Sequence, residues 1–421
     1  MQGNSNGIFI IAITILILFL LDLYVFQGIK ALTSGLQSEI TKSILRWSFW
    51  IFFLAFYAAL LYAILDMLPS RKISPFFKIV SHGFLAITAA KLVFIVVLLG
   101  EDIGRLLIGS WNKISDLAGN VSSEKDFMPD RRRFISQVGI VLAGLPLASI
   151  IYGVTKGKYN FKVHKHTIYF DDLPESFDGF TITQISDVHA GSFDDFEAVR
   201  RGVELIKAQN SDVVVFTGDM VNNEAKEIQP YMELFKSIEA PFGKYSILGN
   251  HDYGDYISWA SALEKQNNLN KLIKYQQEMG FKVLLDENES IEKNGQKINI
   301  LGVENWGQGF GTRGDLDKSL KGTRQNDFKI LLSHDPSHWD AQVKNHTSKI
   351  QMTLSGHTHG MQFGFEIPGF RWSPSKYRYP NWAGLTEELG RKLYVNRGFG
   401  FIGFAGRVGI WPEITVLELK R

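Results

Sequence analysis

Residues 180–252 contain three apolar runs that each end in a polar cluster: FTITQISDVH (180–189), DVVVFTGD (212–219) and GKYSILGNHD (243–252). Two later segments, FKILLSHD (328–335) and IQMTLSGHTH (350–359), have the same arrangement. Short apolar runs bounded by Gly and Asp are typical of buried strands. Residues that follow such strands lie on loops that a rigid sheet holds in place. The pattern therefore predicts a sheet domain with one polar site where its strands end.

The rest of the C-terminal half predicts further strands and helices of the same domain. Helices are predicted over 196–209, where apolar residues recur at helical spacing, and over 231–238, 256–279 and 337–345. Additional strands are predicted near 282–285, 297–303, 392–396 and 413–419. Alternating strands and helices followed by plain strands favour an α/β fold with layered sheets and helices outside.

Seven side chains in the polar clusters are of types that bind metal ions. They are Asp187, His189, Asp219, Asn250, His334, His357 and His359. The two residues of each D-x-H or H-x-H pair have the spacing that places both on one face of a strand. The chain has no cysteine, so thiolate sites are excluded. Imidazole ligands favour Fe, Zn or Mn over Mg or Ca. Two such ions about 3.5–4 Å apart can clamp a phosphoryl group and lower the pKa of a bridging water.

Taken together, the five motifs resemble the signature of the calcineurin-like metallophosphoesterases. The motifs are Asp187-x-His189, Gly218-Asp219, Gly249-Asn250-His251-Asp252, His334 and Gly356-His357-x-His359. The resemblance covers residues 163–421, and the strings LLSHDP, SGHTHG, VNRGFG and PEITVLEL are similar to a bacterial branch with N-terminal hydrophobic segments. Members of that branch include phosphodiesterases and UDP-diacylglucosamine pyrophosphatases of lipid A synthesis. The resemblance implies a β-sandwich flanked by helices (α/β/β/α).

The resemblance also implies a role for each residue of the motifs. One metal would be held by Asp187, His189, Asp219 and His359. The second would be held by Asp219, Asn250, His334 and His357. His251 would steady the attacked phosphate or protonate the leaving oxygen. Asp252 either orients that imidazole or is only a turn residue.

Two positions depart from the pattern of the family. Asn222 stands where many relatives have Asp, which leaves the predicted ligands intact but changes the electrostatics around them. Met361 stands where the branch often has a small residue or Gly, and we expect this position to border the substrate. Substrate specificity is therefore the property that the resemblance leaves open.

A long aromatic segment, 362–390, follows the last motif. Long loops in compact domains are usually functional or disordered, and the aromatic content argues against disorder. We expect a lip over the metals, with Arg371 or Arg378 available for a second phosphate or a carboxylate. A surface that dips into lipid headgroups and a plain packing loop are the alternatives. The Gly-rich residues 305–314 predict a second, mobile lip.

The first third of the chain predicts a membrane region, residues 1–154, ahead of a catalytic domain, 155–421. Apolar runs of about the length that crosses a bilayer lie near 8–26, 47–68, 79–99 and 134–152. The fourth contains several polar residues and could instead be a membrane-lying or signal-like anchor. Of the polar residues in or near these runs, Asp66 and His82 lie near ends, whereas Asp22 and Lys91 could pair between helices.

The orientation of these spans follows from a small charge bias. Loops 27–46 and 101–133 carry nine Lys and Arg, against seven in 67–78 and 154–165. The bias favours a catalytic domain outside a bacterial cytoplasmic membrane. The sequence Arg131-Arg132-Arg133-Phe134-Ile135 resembles a twin-arginine export signal, although an ordinary basic flank explains it equally well.

These patterns favour a membrane-anchored dimetal phosphoesterase. It would hydrolyse a phosphodiester or pyrophosphate bond of a lipid-linked or cell-envelope substrate by attack of a metal-bound hydroxide. The partners would be the bilayer and a phosphorylated small molecule or glycolipid. A net charge of +2 gives no reason to expect nucleic acid. The alternative is a non-catalytic membrane sensor or scaffold that uses the domain only to bind.

Overall fold

A computed structural model of the chain describes residues 2–70, 74–118 and 129–421. Met1 and the connections 71–73 and 119–128, all within the predicted membrane region, lie outside the described residues. Contacts divide the chain into two compact units, residues 1–151 and 152–421.

The first unit is built from long apolar helices. They are α1 (Gln2–Thr33), α2 (Glu39–Ser70), α3 (Pro75–Leu117) and α4 (Pro129–Thr155), the last of which continues into the second unit. All four are long and apolar enough to cross a bilayer, and each predicted span lies inside one of them. The protein is therefore an integral membrane protein.

Polar side chains inside this helical unit pair across helices. Lys91 of α3 forms a buried ion pair with Asp22 of α1, which confirms the predicted pairing. Tyr57 of α2 donates a 2.6 Å hydrogen bond to the same carboxylate. Arg132, from the basic sequence at the start of α4, lies 3.0 Å from Glu101 of α3. Because an unpaired charge in a bilayer is costly, these pairs fix how the helices pack.

The second unit consists mainly of strands. In chain order they are β1 (Lys162–Tyr169), β2 (Thr181–Ile185), β3 (Val213–Phe216), β4 (Lys244–Ser246), β5 (Phe281–Val283), β6 (Glu287–Lys293), β7 (Gln296–Gly302), β8 (Trp306–Gly307), β9 (Gly311–Thr312), β10 (Phe328–Leu332), β11 (Met352–Ser355), β12 (Phe365–Ile367), β13 (Phe370–Trp372), β14 (Gly384–Glu388), β15 (Arg391–Val395) and β16 (Glu413–Lys420).

These strands form two six-stranded sheets and two small hairpins. The first sheet has the order β1-β16-β2-β3-β4-β5 and the second has the order β14-β15-β11-β10-β7-β6. The strands β2, β3 and β4 run parallel to one another, as do β7, β10, β11 and β15. The hairpins β8–β9 and β12–β13 lie outside both sheets.

The two sheets pack face to face over an apolar core. Alternate residues of each buried strand face this core, such as Val213 and Val215 of β3 and Ile330 of β10. The intervening residues face outward and are covered by helices, as Val214 and Leu331 show. The layers are therefore helix, sheet, sheet, helix, and the predicted α/β/β/α sandwich is confirmed.

The helices of this unit cover the outer faces of the sandwich. They are α5 (Phe196–Lys207), α6 (Met232–Lys236), α7 (Ala262–Glu278), α8 (Leu316–Ser319) and α9 (Ser337–Ala341). The prediction that the third helix begins at residue 256 was wrong. It begins at Ala262 because the Ser261 hydroxyl accepts a hydrogen bond from the backbone N–H of Glu264 and caps the first turn.

Candidate metal centre

All five polar clusters follow the carboxyl ends of parallel strands. The first three come after β2, β3 and β4 of the first sheet, and the other two after β10 and β11 of the second. The carboxyl ends of parallel strands meet at one edge of a sheet, which is where open α/β sheets bind ligands. The two facing sheets therefore bring the clusters to one site.

Asp187, His189 and His359 form the first group of ligand atoms, and all three side chains are buried. The Nε2 atoms of His189 and His359 lie 3.0 Å apart. The His359 Nε2 atom also lies 3.2 Å from Oδ1 of Asp187. Two imidazole nitrogens and a carboxylate oxygen thus point at the same small volume.

Asp219, His334 and His357 form the second group. The His334 Nε2 atom lies 3.2 Å from Oδ2 of Asp219 and 3.2 Å from Nδ1 of His357. Asn250 belongs to this group as well, because its Oδ1 atom lies 3.2 Å from the same nitrogen. The amide of Asn250 is fixed by a 2.8 Å hydrogen bond that its Nδ2 donates to the Tyr256 hydroxyl.

The carboxylate of Asp219 joins the two groups. Its Oδ2 atom lies 3.5 Å from Nε2 of His189 in the first group and 3.2 Å from Nε2 of His334 in the second. Its Oδ1 atom accepts a 2.8 Å hydrogen bond from the backbone N–H of His251. Asp219 is thus placed to contact two cations at once.

The electrostatics of the site fit a pair of cations. Burial raises the pKa of both Asp187 and Asp219, but neighbouring imidazoles outweigh it and hold both carboxyl pKa values below their ordinary range. Burial lowers the pKa of His357 to about 4 and that of His189 well below its ordinary value. Ionised carboxylates and neutral imidazoles are the forms that bind metal ions.

The raised pKa of His334 shows that the buried carboxylates favour a positive charge beside them. Burial lowers the pKa of this imidazole, yet the Asp219 carboxylate outweighs burial and raises the pKa to about 10. A proton on His334 would thus supply the positive charge that the buried carboxylates require. A metal ion would replace that proton, so the residues present fit a metal.

Five of the seven predicted ligands have left-handed backbone conformations. The φ angles are 54° at Asp187, 48° at His189, 61° at Asp219, 70° at His357 and 49° at His359. Such angles are uncommon outside glycine and cluster at functional sites. They turn side chains of neighbouring residues toward one point, so the strands end in sharp turns at the site.

Two glycines let the loops of the site approach one another. A Cβ atom on Gly356 would lie 1.9 Å from Oγ of Ser186 and 2.2 Å from Oδ2 of Asp187. A Cβ atom on Gly249 would lie 2.2 Å from Oδ1 of Asp219. Both positions therefore require a residue without a side chain.

His251 lies beside the first group and is held by the chain at Asn222. The Nδ1 atom of His251 lies 2.9 Å from the Asn222 carbonyl oxygen, so this nitrogen carries the proton and donates it. The ring centroid lies 5.0 Å from that of His189. The hydrogen bond at Nδ1 therefore fixes the orientation of this ring beside the first group.

Asp252 does not orient His251, in contrast to one of the two roles considered for it. Its carboxylate instead accepts hydrogen bonds of 2.8–3.3 Å from the backbone N–H groups of Gly249, Asp219, Met220 and Val221. Burial, followed by the Asp219 charge, raises the pKa of Asp252 to about 7. Asp252 therefore ties the loop that carries Asn250 to the loop that carries Asp219, and it is more than a turn residue.

Tyr379 and Asp335 lie behind His357 and were missed by the sequence reasoning. The Nε2 atom of His357 lies 2.9 Å from the Tyr379 hydroxyl and 3.3 Å from Oδ2 of Asp335. A hydrogen bond at Nε2 fixes the ring so that Nδ1 faces the second group. Asp335 immediately follows His334 in sequence, which was the one signal available for it.

Arg407 lies behind His359 in the same way and was also missed. Its side chain is fully buried, and its Nη2 atom lies 3.1 Å from Nδ1 of His359. Burial lowers the pKa of this guanidinium to about 9. Arg407 is separated from its partner by 48 residues, and no spacing in the sequence connects them.

The three predicted substrate residues lie on different segments after the last motif. Arg378 is exposed; its Nε atom lies 3.4 Å from the Tyr379 hydroxyl, and its guanidinium lies 4.8 Å from the ring centroid of Phe310. The two predicted lips therefore meet beside His357. Met361 is exposed two residues beyond His359. Arg371 lies on the hairpin strand β13, opposite Glu366 of β12.

Comparisons with known proteins agree with this geometry. Residues 6–158 match the family described as "Probable Calcineurin-like phosphoesterase, transmembrane domain", and residues 180–361 match the family described as "Calcineurin-like phosphoesterase". The chain is similar to the uncharacterized metallophosphoesterase YkuE of Bacillus subtilis (strain 168), with 31% identity over 296 residues, 69% of this chain and 97% of the relative.

More distant similarities were also found. A Danio rerio transmembrane protein with metallophosphoesterase domain is 27% identical over 288 residues, which cover 64% of this chain and 60% of the relative. Among solved structures, the phosphopantetheinyl hydrolase PptH of Mycobacterium tuberculosis is 13% identical, with 52% of this chain and 89% of that chain covered and a TM-score of 0.34.

Proposed function

This chain belongs to the calcineurin-like metallophosphoesterases, which makes it a metal-dependent phosphoesterase, and we propose that it hydrolyses a phosphodiester or pyrophosphate bond at a pair of metal ions. The observation that carries the proposal is the position of the Asp219 carboxylate between the two groups of ligand atoms. A non-catalytic sensor or scaffold could lose ligand residues freely, whereas all seven positions hold residue types that bind metals.

Each group of side chains would hold one ion. Asp187, His189 and His359 would hold the first, whereas His334, His357 and Asn250 would hold the second, with Asp219 shared. When bound, Mn, Fe or Zn ions supply the attacking hydroxide and neutralise charge on the phosphoryl group. Burial excludes bulk water from the ligands and strengthens these electrostatic interactions.

His251 would act on the phosphoryl oxygens. The hydrogen bond from its Nδ1 to the Asn222 carbonyl fixes the ring and leaves Nε2 free to contact a phosphate oxygen or to protonate the leaving oxygen. Arg378, exposed beside Tyr379, would bind a second phosphate or a carboxylate of the substrate. Met361 would border the remainder of the substrate.

Hydrolysis of an aryl phosphodiester in the presence of Mn²⁺ tests the reaction. We expect His251→Ala to lower the rate about 10²–10⁴-fold, as removal of a proton donor does. Asp219→Asn should lower the rate by more than the 10–100-fold that is typical when a residue hydrogen-bonded to a metal ligand is replaced. His164→Ala, outside the site, serves as the matched control. Equal rates in all four proteins would refute the proposal.

We further propose that the substrate is lipid-linked or part of a cell envelope, because the domain is attached to a bilayer by its own helices. We also propose that the domain lies outside a bacterial cytoplasmic membrane. Since the chain has no cysteine, Leu263→Cys would give one exposed thiol on α7. We expect a membrane-impermeant maleimide to label it in intact spheroplasts. Labelling only after lysis would place the domain inside.

A further inference from the structure

The hairpin β12–β13 presents apolar side chains to its surroundings. Phe365, Ile367 and Phe370 have exposed fractions of 47%, 60% and 53%, and the turn between the strands is Pro368-Gly369. Large exposed apolar side chains that are contiguous mark an interaction surface, whereas isolated ones do not. The hairpin, residues 365–372, is therefore a candidate contact surface.

This hairpin is held in a fixed position. The ring of Phe365 lies 5.6 Å from that of Phe370 and 5.7 Å from that of Trp372, both stacked. Glu366 forms a 2.6 Å ion pair with Arg397, which in turn contacts the fully buried Glu413. These charged contacts at its base therefore make the hairpin an ordered part of the domain.

The base of the hairpin lies next to the end of helix α4. Gly364 is the residue before β12, and its backbone N–H donates a 3.0 Å hydrogen bond to the Val408 carbonyl. Val408 in turn packs on Gly153, where a Cβ atom would lie 2.8 Å from the valine Cγ2. Gly153 belongs to the apolar segment of α4 that is able to cross a bilayer, which ends at Thr155.

Aromatic and basic side chains around this point fit the edge of a bilayer. Tyr152 and Trp411 make an edge-to-face contact at 5.7 Å, and such residues are enriched at membrane–water interfaces. Arg371 on the hairpin and Lys376 just beyond it are exposed cations. Apolar tips flanked by basic residues are typical of surfaces that lie in the headgroup region of anionic membranes.

We propose that the hairpin 365–372 inserts Ile367 and Phe370 into the interface of the bilayer that α4 crosses. The hairpin would enter about 5–10 Å, to the boundary between headgroups and acyl chains. In sequence, the exposed Met361 stands between His359 and the hairpin, so a hairpin in the interface would bring the chain next to this metal ligand toward the headgroups.

Site-directed spin labelling of the full chain in vesicles tests this inference. The absence of cysteine allows single labels at Ile367→Cys and Phe370→Cys. Leu389→Cys is the matched control, since Leu389 is also an apolar residue on the turn of a hairpin and is 71% exposed. The vesicles contain phosphatidylcholine with added phosphatidylglycerol. The measured quantity is the collision rate of each label with oxygen relative to a water-soluble nickel complex.

We expect oxygen collisions to dominate at 367 and 370 and nickel collisions to dominate at 389. Nickel-dominated collisions at all three positions would overturn the proposal. Dipolar broadening between labels at 367, removed by dilution with unlabelled chain, would show that a second copy covers the hairpin and would overturn it as well. Because no catalytic residue is changed, a catalytically inactive preparation gives the same answer.

Discussion

At the scale of single residues, Tyr379 offers a direct test of how His357 is positioned. Tyr379→Phe removes the hydroxyl 2.9 Å from the His357 Nε2 atom and leaves Asp335, 3.3 Å from the same atom, as the polar group that still holds the ring. We expect metal affinity or activity to fall about 10–100-fold, as it does when groups that orient ligands are removed. The measurement is activity as a function of Mn²⁺ concentration, together with bound metal after dialysis.

Tyr377→Phe is the matched control for this change, because Tyr377 lies in the same segment and is 77% exposed. Excess Mn²⁺ should restore much of the activity of Tyr379→Phe if the hydroxyl only positions the ligand. Unchanged metal affinity in Tyr379→Phe would show that the contact has no role in binding.

His338 predicts a pH dependence of stability. This buried imidazole accepts a 2.8 Å hydrogen bond from Ser333 and lies 3.1 Å from Oε1 of Gln342, to which it donates. Burial lowers its pKa to about 4, whereas an unfolded chain titrates near 6.5. Between these values the unfolded state binds more protons, so stability falls as the pH drops from 6.5 to 4.

The His338→Asn variant should lack this part of the pH dependence. Between pH 6.5 and 4, the free energy of unfolding of the unmodified protein should fall by about 3 kcal/mol more than that of the variant. Urea unfolding with a chelator present, at several pH values between 4 and 7, measures it. Parallel curves for the two proteins would mean that His338 is not held neutral.

The residues that converge at the site were predictable because they occur in short motifs directly after strands. The sequence did not predict the contacts of Tyr379, Arg407 and the Asn222 carbonyl with the histidines of the site. In each case the two partners are 22 or more residues apart, with no characteristic spacing between them. The orienting role for Asp252 failed for a related reason. Its neighbour in sequence, His251, points elsewhere, and the carboxylate meets the backbone of a different loop.

At the scale of elements, the buried strands of both sheets were predicted because their residues are almost all apolar. β1 and the hairpin β12–β13 were not predicted as strands. All residues of β1 except the buried Ile168 are exposed or partly buried, and the strand pairs with the distant β16. Sequence patterns report burial, so strands at an edge leave a weaker signal.

Strand β16 carries a prediction about the core. Leu417 is fully buried between the sheets, so Leu417→Ala should lower the free energy of unfolding by about 2–5 kcal/mol. Leu389→Ala, on an exposed turn, should change it by less than about 0.5 kcal/mol. Urea unfolding of both variants gives the comparison, and equal losses would contradict a central position for β16.

At the scale of the whole molecule, metal binding should stabilise the catalytic unit. An ion that binds only the folded state at about 100 times its Kd adds about 2.7 kcal/mol. For a unit of this size that corresponds to roughly 5–10 °C in Tm. A thermal melt with and without Mn²⁺ measures the shift. Asp219→Asn should lose most of it, and a full shift in that variant would contradict the shared role of Asp219.

The division into a helical unit and a sheet unit followed from composition, since long apolar runs end before the strand pattern begins. The orientation of the membrane region stays a prediction, because nine against seven basic residues is a small difference. The pairing of Lys91 with Asp22 between helices was predictable, because both charges fall in apolar runs, whereas the order in which the helices pack is a property of the folded unit.

The central place of β16 also affects how the protein is made. β1 pairs with β16, and β16 then pairs with β2, so the first sheet cannot close until residues 413–420 have left the ribosome. At 5–20 residues per second, the stretch from Tyr169 to Glu413 takes roughly 12–50 s to synthesise. Throughout that interval β1 and β2 have unpaired edges, and the nascent chain would depend on chaperones to keep them from joining those of another molecule.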